Sequence, residues 1–284
     1  MGDMRMLPPF SEINANVPFN VLVMPGKYSV KVAAEKSVAD ALQTNVTDGL
    51  LTLTTNASFA SSQPIKVTVM LPAGNLTSAN VIGSFDLVIG SGFRAKNISV
   101  TSMGAATVSA TNITASSCVV SARGTSWAAI NGTCDTADVS ASGASSAYVG
   151  SVKTSATANA GGTSEISVVA SSPDVQITAA LLGVSSVTYN QGQCTGDNSF
   201  LSSCDQGPVK TPPLKDTWTC GIKVAGTSQR GFWTSDGAII KKSSGKLVRD
   251  GNGVTIISPQ ACEAAAPAPT MAMGHARSAN AHLP

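Results

Sequence analysis

Charge is scarce in this chain of 284 residues: Asp, Glu, Lys and Arg make up 12% of it. So little charge excludes disorder driven by charge repulsion and argues against a highly charged enzyme surface. The net charge of +2 implies neither nucleic acid nor an anionic membrane as a partner of the whole chain. Histidine is confined to His275 and His282 near the end. That confinement removes histidine acid–base and triad chemistry from the rest, and the pair lacks the Cys or carboxylate neighbours of a metal site. GxSxG, Walker-type and GxGxxG motifs are all missing, so no cofactor is implied. No run approaches the roughly 18 apolar residues of a membrane-spanning helix, and Met1 to Phe10 holds no apolar signal core.

Glycine and Ser/Thr are abundant instead, and they recur with a period. Gly83, Gly104, Gly124, Gly143, Gly162 and Gly183 are 21, 20, 19, 19 and 21 residues apart. Four residues before them stand Ala79, Val100, Val120, Val139, Ala158 and Ala179; four after stand Leu87, Val108, Ala128, Ala147, Ile166 and Val187. The odd offsets between are mostly polar, as in Thr101, Ser121 and Ser140. Apolar residues at even offsets are the period-2 pattern of strands. One such repeat cannot bury its apolar face alone, but stacked repeats can. The pattern predicts a parallel β-solenoid, an all-β fold, of about six rungs over residues 75–192, roughly 30 Å long at the spacing of paired strands.

Residues 10–73 read as strands with one short helix over Glu35–Leu42, turns at Pro25-Gly26 and Asp48-Gly49, and an apolar face laid over the first rung. The run FSEINANVPFNVLVMPGKYSVKVAAEKSVADALQTNVTDGLLTL from Phe10, then IKVTVMLPA from Ile65, resembles the opening of the "putative autotransporter adhesin head GIN domain" family. The glycine-centred repeats, such as VSASGASSAYVG, and the close VTYNQG at Val187–Gly192 resemble that family too. The resemblance covers residues 10–192. It implies a right-handed parallel β-helix with strand caps, a secreted or cell-surface place, and adhesion without catalytic residues. The chain departs from the family pattern in having few doubled Gly-Ser-Gly turns and in its cysteine-bearing extension.

That extension, residues 193–262, reads as a β-rich appendage placed to cap the last rung, and residues 263–284 as a disordered Ala/Pro tail. Six cysteines without zinc-ligand spacing, Cys118, Cys134, Cys194, Cys204, Cys220 and Cys262, point to disulfides and an oxidising compartment. Cys194 with Cys204 would close a short loop and Cys220 with Cys262 would clip the strands, though the four cysteines of the extension allow three pairings. Cys118 and Cys134 are neighbours in sequence, but their places in the repeat differ by three, so a bond needs a bend. Six N-x-S/T sequons, at Asn45, Asn56, Asn75, Asn97, Asn112 and Asn131, also lean towards secretion.

Chemistry has few places to reside. Trp127 and Tyr148 fall at outward offsets on adjacent rungs, with Arg123 near, and make a candidate patch for sugars or proteins on cells or matrix. Lys241, Lys242, Lys246 and Arg249 form a basic stretch that would attract acidic glycans. Asp86, Asp135, Asp138, Glu165 and Asp174 are scattered over several rungs, whereas a polysaccharide-cutting enzyme clusters its carboxylates. The expected function is therefore non-enzymatic adhesion or structural binding, with a β-helix lyase or hydrolase and an intracellular scaffold as the alternatives.

Overall fold

The computed structural model describes residues 2–61, 63–196, 201–212, 219, 222–224 and 254–256. It is a parallel β-solenoid of about six turns. Each rung has two main sides that meet at a glycine. The side before the glycine stacks Ser78–Gly83 on Arg94–Gly104 and continues through the second halves of Thr107–Gly124, Trp127–Gly143 and Ser146–Gly162 to Gln176–Gly183 and Gln193–Gly196. The side after the glycine stacks Asp86–Ile89 on the first halves of the same long strands, then Glu165–Ala170, Ser186–Tyr189 and Ser203–Gln206. A short third side, from Arg94 to Asn97, pairs with Thr114 to Ser117 on the next rung.

The repeat length follows from this stacking. Residues at one offset lie directly above one another, as Val120 above Val100 and below Val139. Even offsets point inward and are buried from end to end: Val100, Val108, Val120, Ala128, Val139 and Ala158 are all fully buried. Small side chains predominate because facing walls leave little room between them.

The corners carry two devices, only one of which the sequence reading used. The glycines close the corner with positive φ, and the next residue donates its N–H to the glycine carbonyl of the previous rung, as Ala144 to Gly124 at 2.8 Å. The second device is a column of buried serines two residues beyond the glycine. Ser145 Oγ accepts from the Ser142 N–H at 2.9 Å and lies 3.0 Å from the Ala122 carbonyl of the preceding rung. Ser126 repeats this with Arg123 and Ser102, and Ser164 with Gly161 and Ala141. Where Ala106 interrupts the column, Ser102 sends its own hydroxyl to the Ala106 carbonyl at 2.8 Å. Ser145→Ala would leave the buried Ala122 carbonyl and the part-buried Ser142 N–H short of this partner, and urea unfolding should show a loss of about 1–2 kcal/mol. Ser142→Ala, at an exposed side chain, should change stability by less than about 0.5 kcal/mol.

The N-terminal module does more than lie over the first rung. Glu12–Asn16 and Val21–Pro25 are themselves a rung, parallel to Ser78–Gly83 and Asp86–Ile89. Leu50–Thr55 and Lys66–Leu71 form a further parallel rung outside it. Antiparallel strands Gln43-containing Leu42–Thr47 and Ser29–Ala33 then close the end, and Gly2–Met6 adds to the latter. The Asp48-Gly49 hairpin turn forms with positive φ at both residues, as a two-residue hairpin loop requires. The helix spans Lys36–Ala41 and buries Val38 and Ala41.

The extension read as a cap on the last rung divides in two: Gln193–Gly196 and Ser203–Gln206 do stack there as one more rung. Ile222–Val224 pairs with Phe59–Ser61 and with Val254–Ile256, at the N-terminal end rather than on the last rung. The chain leaves the last rung on the after-glycine side, where Gly207 donates to the Tyr189 carbonyl and Lys210 reaches Glu165 at 3.5 Å. Thr219 then exchanges backbone hydrogen bonds with Ile65 and accepts from the Asn20 N–H. The free antiparallel edge of Phe59–Ser61 thus gives the returning chain hydrogen-bond partners.

Candidate functional site

The structure separates the three residues of the aromatic patch. Trp127 and Tyr148 do share the outward face of the after-glycine side: Trp127 is level with Ser146, and Tyr148 with Ala129 and Ser167. Yet Tyr148 is only 4% exposed, and Ala129 and Ser167 beside it are buried as well. Trp127 is half-buried, and its Nε1 is buried without a hydrogen-bond partner among the described residues. The two rings therefore do not form a bare surface patch. Lys210, held to Glu165 in the Trp127 column, shows that the returning chain lies on this face. Arg123 sits across the glycine corner. It lines a shallow hollow of about 360 Å³ on the before-glycine side with Ser140, Ser142, Asn159 and Leu182.

Burial raises the Tyr148 phenol above its ordinary value of about 10, because the phenolate would lose water. A phenol whose pKa is higher in the folded protein stabilises the fold below the unfolded value, and that contribution is lost as pH rises through the folded value. In an absorbance titration of the folded protein, Tyr148→Phe should therefore remove a tyrosine that ionises only above about pH 10.

The other groups named from sequence fall out as follows. Cys118 and Cys134 are bonded, with Cα atoms 5.9 Å apart, and both are fully buried. The bend needed is there: pairing with the next rung shifts register on both sides of Cys134. Cys194 and Cys204 are bonded on the last rung. Cys220, Cys262 and the basic residues Lys241, Lys242, Lys246 and Arg249 lie outside the described residues. Asn45, Asn56, Asn75, Asn97, Asn112 and Asn131 are all exposed. Among the carboxylates, Asp135 is paired with Lys153 at 3.0 Å and Glu165 with Lys210. No group of three or more His, Cys, Asp or Glu among the described residues could hold a metal.

A hollow that the sequence reading missed lies along the third side. It has a volume of about 330 Å³ and is lined by Gly74, Arg94, Lys96, Thr114, Ser116, Asp135 and Lys153, with Ala95 and Ala115. Its polar residues come from successive rungs. Arg94 is level with Thr114, and Thr114 with Thr133, while Lys153 reaches back one rung to Asp135. The repeat alone did not put them together: Arg94 falls eleven residues after Gly83 and Lys153 ten after Gly143, and register shifts on the rungs between bring the two to one side.

These features define a class: a cystine-bearing parallel β-solenoid with polar outer faces. Within that class the chain belongs to the "putative auto-transporter adhesin, head GIN domain" family, which it matches over residues 9–192. No curated protein matches it. Among solved structures it is similar to a putative adhesin from Bacteroides fragilis, with a TM-score of 0.59 and 18% identity over 72% of this chain and 96% of that one. A putative lipid binding protein from Parabacteroides distasonis gives 0.54 and 16%, covering 72% and 93%. A putative adhesin from the same species gives 0.52 and 12%, covering 73% and 96%. At such identities the likeness is one of fold. Among the described residues no helix is long and apolar enough to cross a membrane.

Proposed function

We propose that the protein is a non-enzymatic binding or structural protein of the cell surface or extracellular space, which contacts glycans or proteins through the outer faces of its solenoid. One observation carries this reading: the fold spends its sequence on a rigid column whose walls present ladders of Ser, Thr and Asn. Thr111 and Asn131, for instance, are level on adjacent rungs and both exposed. Such a surface makes many weak polar contacts at fixed spacing, which suits repeated ligands. The buried Cys118–Cys134 bond supports an oxidising compartment, and the family supports adhesion.

One structural neighbour is described as lipid binding. Here the interior columns between the described walls are filled by Val, Ala, Ile and the cystine, which favours contact on the outside over a lipid held within. The test is binding of the purified chain to cells, extracted matrix and immobilised polysaccharides, with heat-denatured protein as the control. Saturable binding lost on denaturation supports the reading. Oligosaccharide released from any of the polymers overturns it in favour of an enzyme.

A further inference from the structure

The geometry points to the third side of the solenoid as a binding groove for an acidic polysaccharide, one bearing carboxylates or sulfates, lying along the solenoid axis. This inference rests on the binding role proposed above and names its ligand class and its residues. The repeat region from residue 75 to 192 contains four cations, Arg94, Lys96, Arg123 and Lys153. Three of the four line this one hollow. In so sparsely charged a region that concentration gives the side a clear sign.

The charges are also available. Arg94 and Lys96 are exposed and have no carboxylate partner among the described residues. Lys153 is exposed and shared with Asp135, so the hollow keeps a net positive charge. The exposed Thr114 and Ser116 stand on the rung between the two cationic ends and add hydroxyls. Arg94 and Lys153 are three rungs apart, roughly 14 Å at the spacing of paired strands. That is the spacing of their backbones, and Lys153 leans back one rung to Asp135; cations strung over successive rungs in this way match a linear polymer with repeated anionic groups. Hydrogen bonds from cations to carboxylate or sulfate oxygens are stronger than neutral ones, and at an exposed site they weaken with salt.

Asp135 gives the proposal an unusual sign. It competes with the ligand for Lys153, so Asp135→Asn should tighten binding several-fold. Most substitutions in a binding groove weaken it, and an enzyme using Asp135 would be disabled by the same change.

The experiment measures affinity of the full chain for heparin and polygalacturonate, with neutral dextran and double-stranded DNA alongside, at low and at physiological salt. The variants are Arg94→Ser with Lys96→Ser, Asp135→Asn, Arg123→Ser, and a Ser replacement of Lys241, Lys242, Lys246 and Arg249 together. The expected result is binding to one or both acidic polymers, weakened at least about tenfold by the Arg94/Lys96 pair, strengthened by Asp135→Asn, and little changed by Arg123→Ser. Far-ultraviolet dichroism and unfolding of each variant exclude a folding defect as the cause. Affinity unchanged by the Arg94/Lys96 pair overturns the groove, as does loss confined to the Lys241–Arg249 variant. Equal binding of DNA through the same residues overturns the polysaccharide as ligand. Wild-type binding to cells or matrix that ignores all four variants overturns the groove and leaves the adhesive role standing, while no binding to any surface or polymer overturns both.

Discussion

Gly162→Ala should destabilise the protein by about 3–4 kcal/mol, while Gly161→Ala, one residue earlier, should be neutral or slightly stabilising. The two glycines are adjacent in sequence and differ only in what the fold asks of them. Gly162 turns the corner with φ at +82°, and a Cβ there would sit 2.7 Å from the Gly143 carbonyl oxygen of the preceding rung. That carbonyl accepts the N–H of Thr163 and cannot retreat without opening the stack. The left-handed backbone alone costs an alanine about 1–2 kcal/mol, and the overlap with a backbone atom adds to it. At Gly161, nothing lies within 4 Å of the Cβ position. Urea unfolding of the two variants checks the pair directly. Equal effects would mean that the corner is not pinned from rung to rung.

The second large effect concerns the buried cystine. Replacing Cys118 and Cys134 together by Ala should cost about 3–5 kcal/mol. The bond closes a loop of 16 residues, which in the chain-entropy view is a contribution of about 3 kcal/mol. Two alanines would also leave unfilled volume in a core where both sulfurs are fully buried. Access differs between the two bonds. Cys194–Cys204 lies on the last rung, with Cys194 partly exposed, so mild reductant on the folded protein should open it first. Alkylation followed by peptide mapping reads the order. Labelling of Cys118 and Cys134 before Cys194 and Cys204 would show that the core opens more readily than the end of the column.

Much of the fold was legible because stacking is a local rule repeated. The glycine spacing and the even-offset Val and Ala report the same geometry at every turn, so the six glycine-cornered rungs and their register could be read without any long-range knowledge, whereas the rungs of residues 12–25 and 50–71, which have no such glycine, read only as a cap. The Asp48-Gly49 turn was equally legible, since its conformation is set by the two residues themselves. The candidate patch was less so. Trp127 and Tyr148 share one outward face, but outward is not exposed once another part of the chain lies over that face. Period 2 tells which way a side chain points and says nothing of what covers it.

By itself, then, the sequence determined the solenoid, its phase and its inward and outward columns, because each depends on residues at fixed offsets and on pairing between neighbouring repeats. The tertiary structure alone decided three other things. It brought the extension back to Phe59–Ser61, it buried Tyr148, and it gathered Arg94, Lys96 and Lys153 into one hollow. Each of these joins segments far apart in the chain. Their meeting depends on where a returning strand finds a free edge and on how rungs align side by side, and no local pattern of side chains encodes either.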